Sequence, residues 1–219
     1  MSALILLHGI GTGAGAWEPQ IQAFSADREV LAPDLVPAYR KGLEAAVEEV
    51  RRIASTYRPV TLCGLSLGAL VALRVAAERF EEEDRLVLCA AFDRLPPRIR
   101  RRVRGLAVVS RFTPQAFLHR QFVSELPEPY RARALDEIAP LRPWQLSRLL
   151  WEAAGFEVDR GLIVARTLVL CGEQDKANLP LAQALARGVR NSTFALVPNA
   201  GHVANLDSPA AFSALLASS

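Results

Sequence analysis

The chain has 219 residues, 51% of them apolar, with 26 basic and 23 acidic side chains and a net charge of +3. That length and apolar share fit one α/β domain with a large core and argue against disorder. No apolar run reaches the ~18–20 residues needed to span a membrane, and so mild a charge, carried by arginine except at Lys41 and Lys176, is not a nucleic-acid footprint.

In chain order, residues 3–7 read as a buried first strand ending at His8-Gly9. The N-terminus lacks a basic region and a small-residue cleavage site, so it reads as a strand and not as a signal peptide. A loop with four glycines follows, then a helix over residues 16–24, and a second strand over 29–32 that ends at Pro33-Asp34. Residues 41–57 carry Leu43, Val47, Val50 and Ile53 on one helical stripe. A third strand over 60–63 runs into Gly64-Leu65-Ser66-Leu67-Gly68, and residues 69–80 continue as a helix. The fourth, fifth and sixth strands are expected over 85–91, 166–171 and 192–197, and a closing helix over 209–216.

Apolar strands alternating with helices predict an α/β fold: a mostly parallel sheet of about six strands with helices on both faces. Right-handed crossovers put every strand C-terminus on one edge, where ligands bind in such folds. Residues 93–160 break the rhythm. Prolines at 96, 97, 114, 127, 129, 140 and 143 cut them into short amphipathic helices, which we expect to form a helical lid over that edge. The core domain is then 1–92 with 161–219.

Cys63, Cys89 and Cys171 each fall in a predicted strand, which suggests buried thiols in a reducing cytoplasm and no disulfide framework. No Cys-x-x-Cys or His-x-x-x-His spacing occurs, and His8, His119 and His202 lie far apart, so no metal site is expected.

Ser66 sits on a sharp strand-to-helix turn with glycines two residues to either side, at a helix N-terminus that favours negative charge. A serine needs a base to act as a nucleophile, and the base needs an orienting acid. His202 follows the sixth strand and is the best base; His8 and His119 are the other histidines. Asp175, after the fifth strand, is the preferred acid, with Glu173 and Asp93 as rivals. The glycine loop after His8 matches neither Gly-x-x-x-x-Gly-Lys-[Ser/Thr] nor Gly-x-Gly-x-x-Gly. It reads better as half of an oxyanion hole, with the backbone N–H groups of Ile10 and Leu67 as donors. His8 would tie that loop down, and Trp17 is a candidate pocket wall or a packed core aromatic.

Together these segments resemble the α/β-hydrolase superfamily. The matching residues are Leu6-Leu7-His8-Gly9-Ile10-Gly11 with Trp17, Ala32-Pro33-Asp34-Leu35, the Ser66 pentapeptide, Gly172-Glu173-Gln174-Asp175, and the run from Ala200-Gly201-His202 to Asp207-Ser208-Pro209. The chain starts at what would be that family's third strand, so its N-terminal hairpin is expected to be missing. The run after Asp34 also departs from the family's Gly-x-Gly turn. The resemblance implies a serine hydrolase with a Ser66–His202–Asp175 triad, acting through an acyl-enzyme on a small carboxylic ester or lactone. That chemistry needs no cofactor. A monomer or weak homodimer is expected, with no nucleic acid and no membrane span.

Two other classes fit the same residues: a lyase using Ser66 and His202 for proton transfer, and a slow-turnover small-molecule receptor. Arg98, Arg100, Arg101, Arg102 and Arg104 read as a solvated face, with selection of an anionic substrate or membrane contact as sharper alternatives. Phe112, Phe117, Phe122, Trp144 and Trp151 are expected mostly to pack within the lid, with a few as candidates to line an acyl pocket.

Overall fold

The computed structural model describes residues 2–218; Met1 and Ser219, the outer bounds of the expected core, lie outside the described residues. In chain order the elements are β1 (Ala3–Leu7), α1 (Glu18–Phe24), β2 (Glu29–Leu31), α2 (Val36–Tyr39), α3 (Leu43–Ala54), β3 (Val60–Leu65), α4 (Leu67–Arg79) and β4 (Arg85–Cys89). Then come α5 (Pro97–Phe112), α6 (Gln115–Val123), α7 (Glu128–Ile138), α8 (Pro143–Ala154), β5 (Arg166–Gly172), α9 (Leu179–Gly188), β6 (Ser192–Val197), α10 (Ala204–Asp207) and α11 (Pro209–Ala217).

The six strands form one all-parallel sheet in the order β2-β1-β3-β4-β5-β6. Strands covered on both faces are apolar throughout rather than alternating, and all five residues of β1 are buried. Right-handed crossovers put α1 on one face and α3, α4 and α9 on the other. In agreement, α1 packs on α11 and α3 packs on α4.

The strand order reverses about β1. From β1 the chain goes one way to β2, then returns to lay β3 on the opposite side. The loops after β1 and β3 therefore diverge and leave a crevice at the strand C-termini.

Between β4 and β5, α5 packs along α8, and α6 along α7. The stem of this segment is closed by an antiparallel bridge between Arg94 and Glu157 and an Arg160–Asp93 ion pair at 3.1 Å. Two further contacts fasten it to the core. Glu137 accepts the Gly15 N–H at 3.0 Å, and Glu152 accepts the Leu43 N–H at 2.7 Å.

Three local expectations change. The helix read from residue 16 begins as a single 3₁₀ turn over Ala14–Trp17, and α1 starts at Glu18 ahead of Pro19, which suits a first helical turn. After Asp34, whose carboxylate accepts the Val36 N–H at 2.9 Å, the chain forms the short helix α2. The aromatic residues of the helical segment are mostly turned outward: Phe112 is 80% exposed, and Phe117, Trp144 and Trp151 are also exposed. Of α5, only the small residues Ala107 and Ser110 are buried, and Trp151 of α8, though half exposed, is covered by the Arg104 guanidinium of α5.

Candidate active site

β3 ends at Leu65 and α4 starts at Leu67, so a single residue turns strand into helix. That residue is Ser66, with φ 54° and ψ −118°. A side chain held at positive φ costs about 1–3 kcal/mol and persists only where its surroundings impose it. Here Ser66 N–H donates to Cys89 O at 2.9 Å, while Ser66 O accepts from Ala69 at 2.9 Å and Leu70 at 3.2 Å. The flanking glycines permit the close approach. A Cβ on Gly68 would lie 2.2 Å from the Leu7 carbonyl oxygen, and one on Gly64 2.4 Å from that of Gly68.

His202 is carried on the loop between β6 and α10. Asn199 takes φ 57° in that loop, Gln174 N–H donates to Ala200 O at 2.8 Å, and Gly201 N–H donates to Asp207 Oδ2 at 2.8 Å. The imidazole is thereby held with Nε2 3.1 Å from Ser66 Oγ and Nδ1 2.9 Å from Asp175 Oδ2. Asn178 Nδ2 lies 2.9 Å from each Asp175 oxygen, and its backbone N–H donates to Oδ1 at 3.2 Å. With Nδ1–H donating to Asp175, Nε2 is the acceptor for the serine proton.

The electrostatics agree with this arrangement. Burial works against a charged His202, but the bond and charge of Asp175 outweigh it, with help from Glu125 and Asp207, and the imidazole is held above its ordinary range. Burial likewise opposes the Asp175 carboxylate, yet His202 and Asn178 keep it below the usual carboxylate range. An imidazole made more basic by a carboxylate that stays ionised is suited to accept a hydroxyl proton.

Ser66 and His202 open on a cavity of about 290 Å³. The loop after β1, including Ile10, lines one side, and Phe122, Glu125 and Leu126 line another. Among the described residues, neither the Ile10 nor the Leu67 N–H has a hydrogen-bond acceptor. Leu67 does not itself line the cavity, but its N–H is the first of α4, directly after Ser66.

The other sequence candidates lie elsewhere. Glu173 accepts the Asn199 N–H at 3.1 Å, and Asp93 is bound by Arg160. His119 is buried, with Nε2 2.9 Å from Leu141 O. Trp17 is fully buried, 5.9 Å from the Phe212 ring centroid, and is not part of the cavity wall. No α5 arginine reaches the cavity: Arg100 pairs with Glu157 at 3.6 Å and Arg104 stacks 4.9 Å over the Trp151 ring. Sequence reasoning missed Asn178, although its place three residues after Asp175 at a helix start was a usable signal. It also missed Gln121, Glu125 and Leu150, which reach the cavity only through tertiary packing. No group of three or more His, Cys, Asp or Glu side chains that could hold a metal ion occurs among the described residues.

A family model described as the alpha/beta hydrolase family matches residues 4–215. A relative from Variovorax paradoxus named "Putative carbamate hydrolase RutD" is 27% identical, covering 96% of this chain and 88% of its own length. A hydrolase structure from Pseudomonas aeruginosa superposes with a TM-score of 0.83 at 21% identity, over 99% of this chain and 89% of that one. A thermophilic esterase from Thermogutta terrifontis gives a TM-score of 0.79 at 20% identity, over 100% and 88%.

Proposed function

The chain belongs to the alpha/beta hydrolase family, and from that premise we propose that it is a serine hydrolase cleaving a small carboxylic ester or lactone through an acyl-enzyme. One observation carries the reading: an unbroken hydrogen-bonded line from Ser66 Oγ through His202 to Asp175 that opens on a cavity.

In this reading Ser66 Oγ adds to the substrate carbonyl carbon as its proton passes to His202 Nε2. The carbonyl oxygen becomes an oxyanion between the Ile10 and Leu67 N–H groups. A donor of this kind typically contributes about 3–4 kcal/mol to the transition state. The tetrahedral adduct collapses, the C–O bond to the alcohol breaks, and the leaving oxygen takes the proton from Nε2. Water then repeats the sequence on the acyl-Ser66 ester. Asp175 fixes the tautomer of His202 and stabilises the imidazolium. The helices between β4 and β5 act as a lid over the cavity.

The RutD relative adds carbamates as a second substrate class, since a carbamate carbonyl is open to the same attack. Intact-mass measurement after a fluorophosphonate probe tests the reading. A single adduct on wild type, lost in Ser66→Ala, is expected; kcat/KM over matched esters, lactones and carbamates then ranks the acyl group. A folded wild type that takes up no probe and turns over none of these substrates would overturn it.

A further inference from the structure

We propose that the mouth of the Ser66 cavity is a subsite for a cationic group, with Glu125 as counter-ion, so that preferred substrates carry an ammonium or guanidinium group. This rests on the serine hydrolase reading of the same cavity.

The cavity wall has two titratable side chains, His202 and Glu125. His202 is committed to Ser66 and Asp175. Glu125 has no such commitment: among the described residues, none hydrogen-bonds or ion-pairs with its carboxylate. Of the two nearest arginines in sequence, Arg120 is exposed on α6 and does not line the cavity, and Arg131 is taken up elsewhere. Its guanidinium pairs with Glu128 at 2.6 Å and donates to Leu126 O at 2.8 Å and Ser124 O at 3.3 Å.

Those last two bonds brace the turn that carries Glu125, and buried Val123 and Leu126 anchor it from either side. The carboxylate is therefore presented at the mouth from a fixed turn. Phe122 lines the same wall, and an aromatic face beside a carboxylate is a favourable setting for an organic cation. The chain as a whole is +3, yet none of its 26 basic side chains lines this cavity. The charge at the cavity is thus opposite in sign to that of the protein. Glu125 is also close enough to favour the protonated form of His202, so its field reaches the reacting centre. A carboxylate-bearing substrate would meet an unpaired like charge.

The test uses three matched acetate esters: choline, its neutral isostere 3,3-dimethylbutanol, and a carboxylate-bearing alcohol of similar size. Wild-type kcat/KM is expected to favour the cation over the neutral ester by about fivefold to tenfold, and the neutral ester over the anion similarly, as one charge pair in partly aqueous surroundings provides. Both ratios should shrink in high salt. Glu125→Gln should bring them to within about twofold, and Glu125→Lys should invert the order. Glu82→Gln, in the exposed loop between α4 and β4 at the opposite edge of the sheet, should leave the ratios as in wild type. A wild type without preference, or a preference that survives Glu125→Gln, would overturn the subsite. Equilibrium binding of the same compounds to Ser66→Ala reads the subsite without turnover. Charge selectivity there in a protein whose Ser66 takes no fluorophosphonate would uphold the subsite and reject the hydrolase.

Discussion

His8 and Leu35 are joined by one buried hydrogen bond, from the Leu35 N–H to His8 Nε2 at 3.0 Å. The other ring nitrogen, Nδ1, donates to Gly9 O at 2.8 Å, and the Tyr39 hydroxyl donates to His8 O at 2.8 Å. Burial holds the imidazole below its ordinary range, so it stays neutral, one nitrogen donating and the other accepting. This single residue fastens the loop bearing Ile10 to the loop after β2.

Replacing His8 by Phe keeps a ring of similar bulk and removes both bonds. Leaving a buried donor or acceptor unsatisfied costs about 1–3 kcal/mol, so thermal unfolding should shift downward. The Ile10 N–H would also lose its fixed position. If it is an oxyanion donor, kcat should fall by up to about 10²-fold with little change in KM. Calorimetry and steady-state kinetics on the same preparation separate the two effects. An unchanged kcat in a folded variant would remove Ile10 from the proposed mechanism.

Two glycine substitutions should act in opposite directions. Gly68→Ala forces a Cβ to within 2.2 Å of Leu7 O, a backbone atom that cannot swing away. Overpacking of this kind costs about 1–3 kcal/mol, or roughly 2–12 °C in Tm for a chain of this size. Gly105 lies within α5, and a Cβ there meets nothing within 4 Å. Gly105→Ala should therefore raise stability by about 0.5–1 kcal/mol through helix propensity alone. Thermal melts of the two variants beside wild type decide it; equal shifts would mean the close approach at Gly68 is relieved by backbone movement.

All three cysteines should resist thiol reagents in the folded protein. Cys63, Cys89 and Cys171 are free and buried. Burial raises each thiol, that of Cys171 to about 12, so almost no thiolate exists at neutral pH. Titration with an aromatic disulfide should find no reactive thiol under native conditions and three in guanidinium. A fast-reacting thiol in the native state would indicate local opening of the sheet.

The sheet was legible because its information is local. Short apolar runs such as 3–7 and 60–63 mark doubly covered strands, and the Gly64–Gly68 pattern marks the turn between β3 and α4. The meeting of Ser66, Asp175 and His202 was legible because each follows a strand, and a parallel sheet brings all strand C-termini to one edge. Trp17 was ambiguous because a motif position does not say which way a ring points; it faces Phe212 in the core. Glu125 was invisible. It sits in a turn between two helices, and its place in the cavity wall depends on how α7 settles against the 3₁₀ turn that holds Trp17 and the start of α1, through Glu137 to Gly15 and Arg133 to Glu18. No sequence period encodes such long-range contacts.

In the proposed mechanism the Asp175–His202 pair sets the pH behaviour. His202 must be neutral to accept the Ser66 proton, so kcat/KM should fall as pH drops through the His202 pKa. Asp175 holds that pKa above the ordinary histidine value of 6.5, so the acid limb should lie above 6.5. Asp175→Asn removes the negative charge and the hydrogen bond that raise it, and the limb should move to lower pH. Its height should fall as well. An amide in place of the carboxylate favours the wrong imidazole tautomer, and in serine hydrolases with this arrangement that substitution lowers kcat by about 10⁴-fold. Glu125→Gln should shift the limb downward too, but by less, because it leaves the bond to Nδ1 intact. The pH profile of kcat/KM for a neutral ester in the three proteins distinguishes the roles. A limb that Asp175→Asn leaves in place would mean that the group titrating in the profile is not His202.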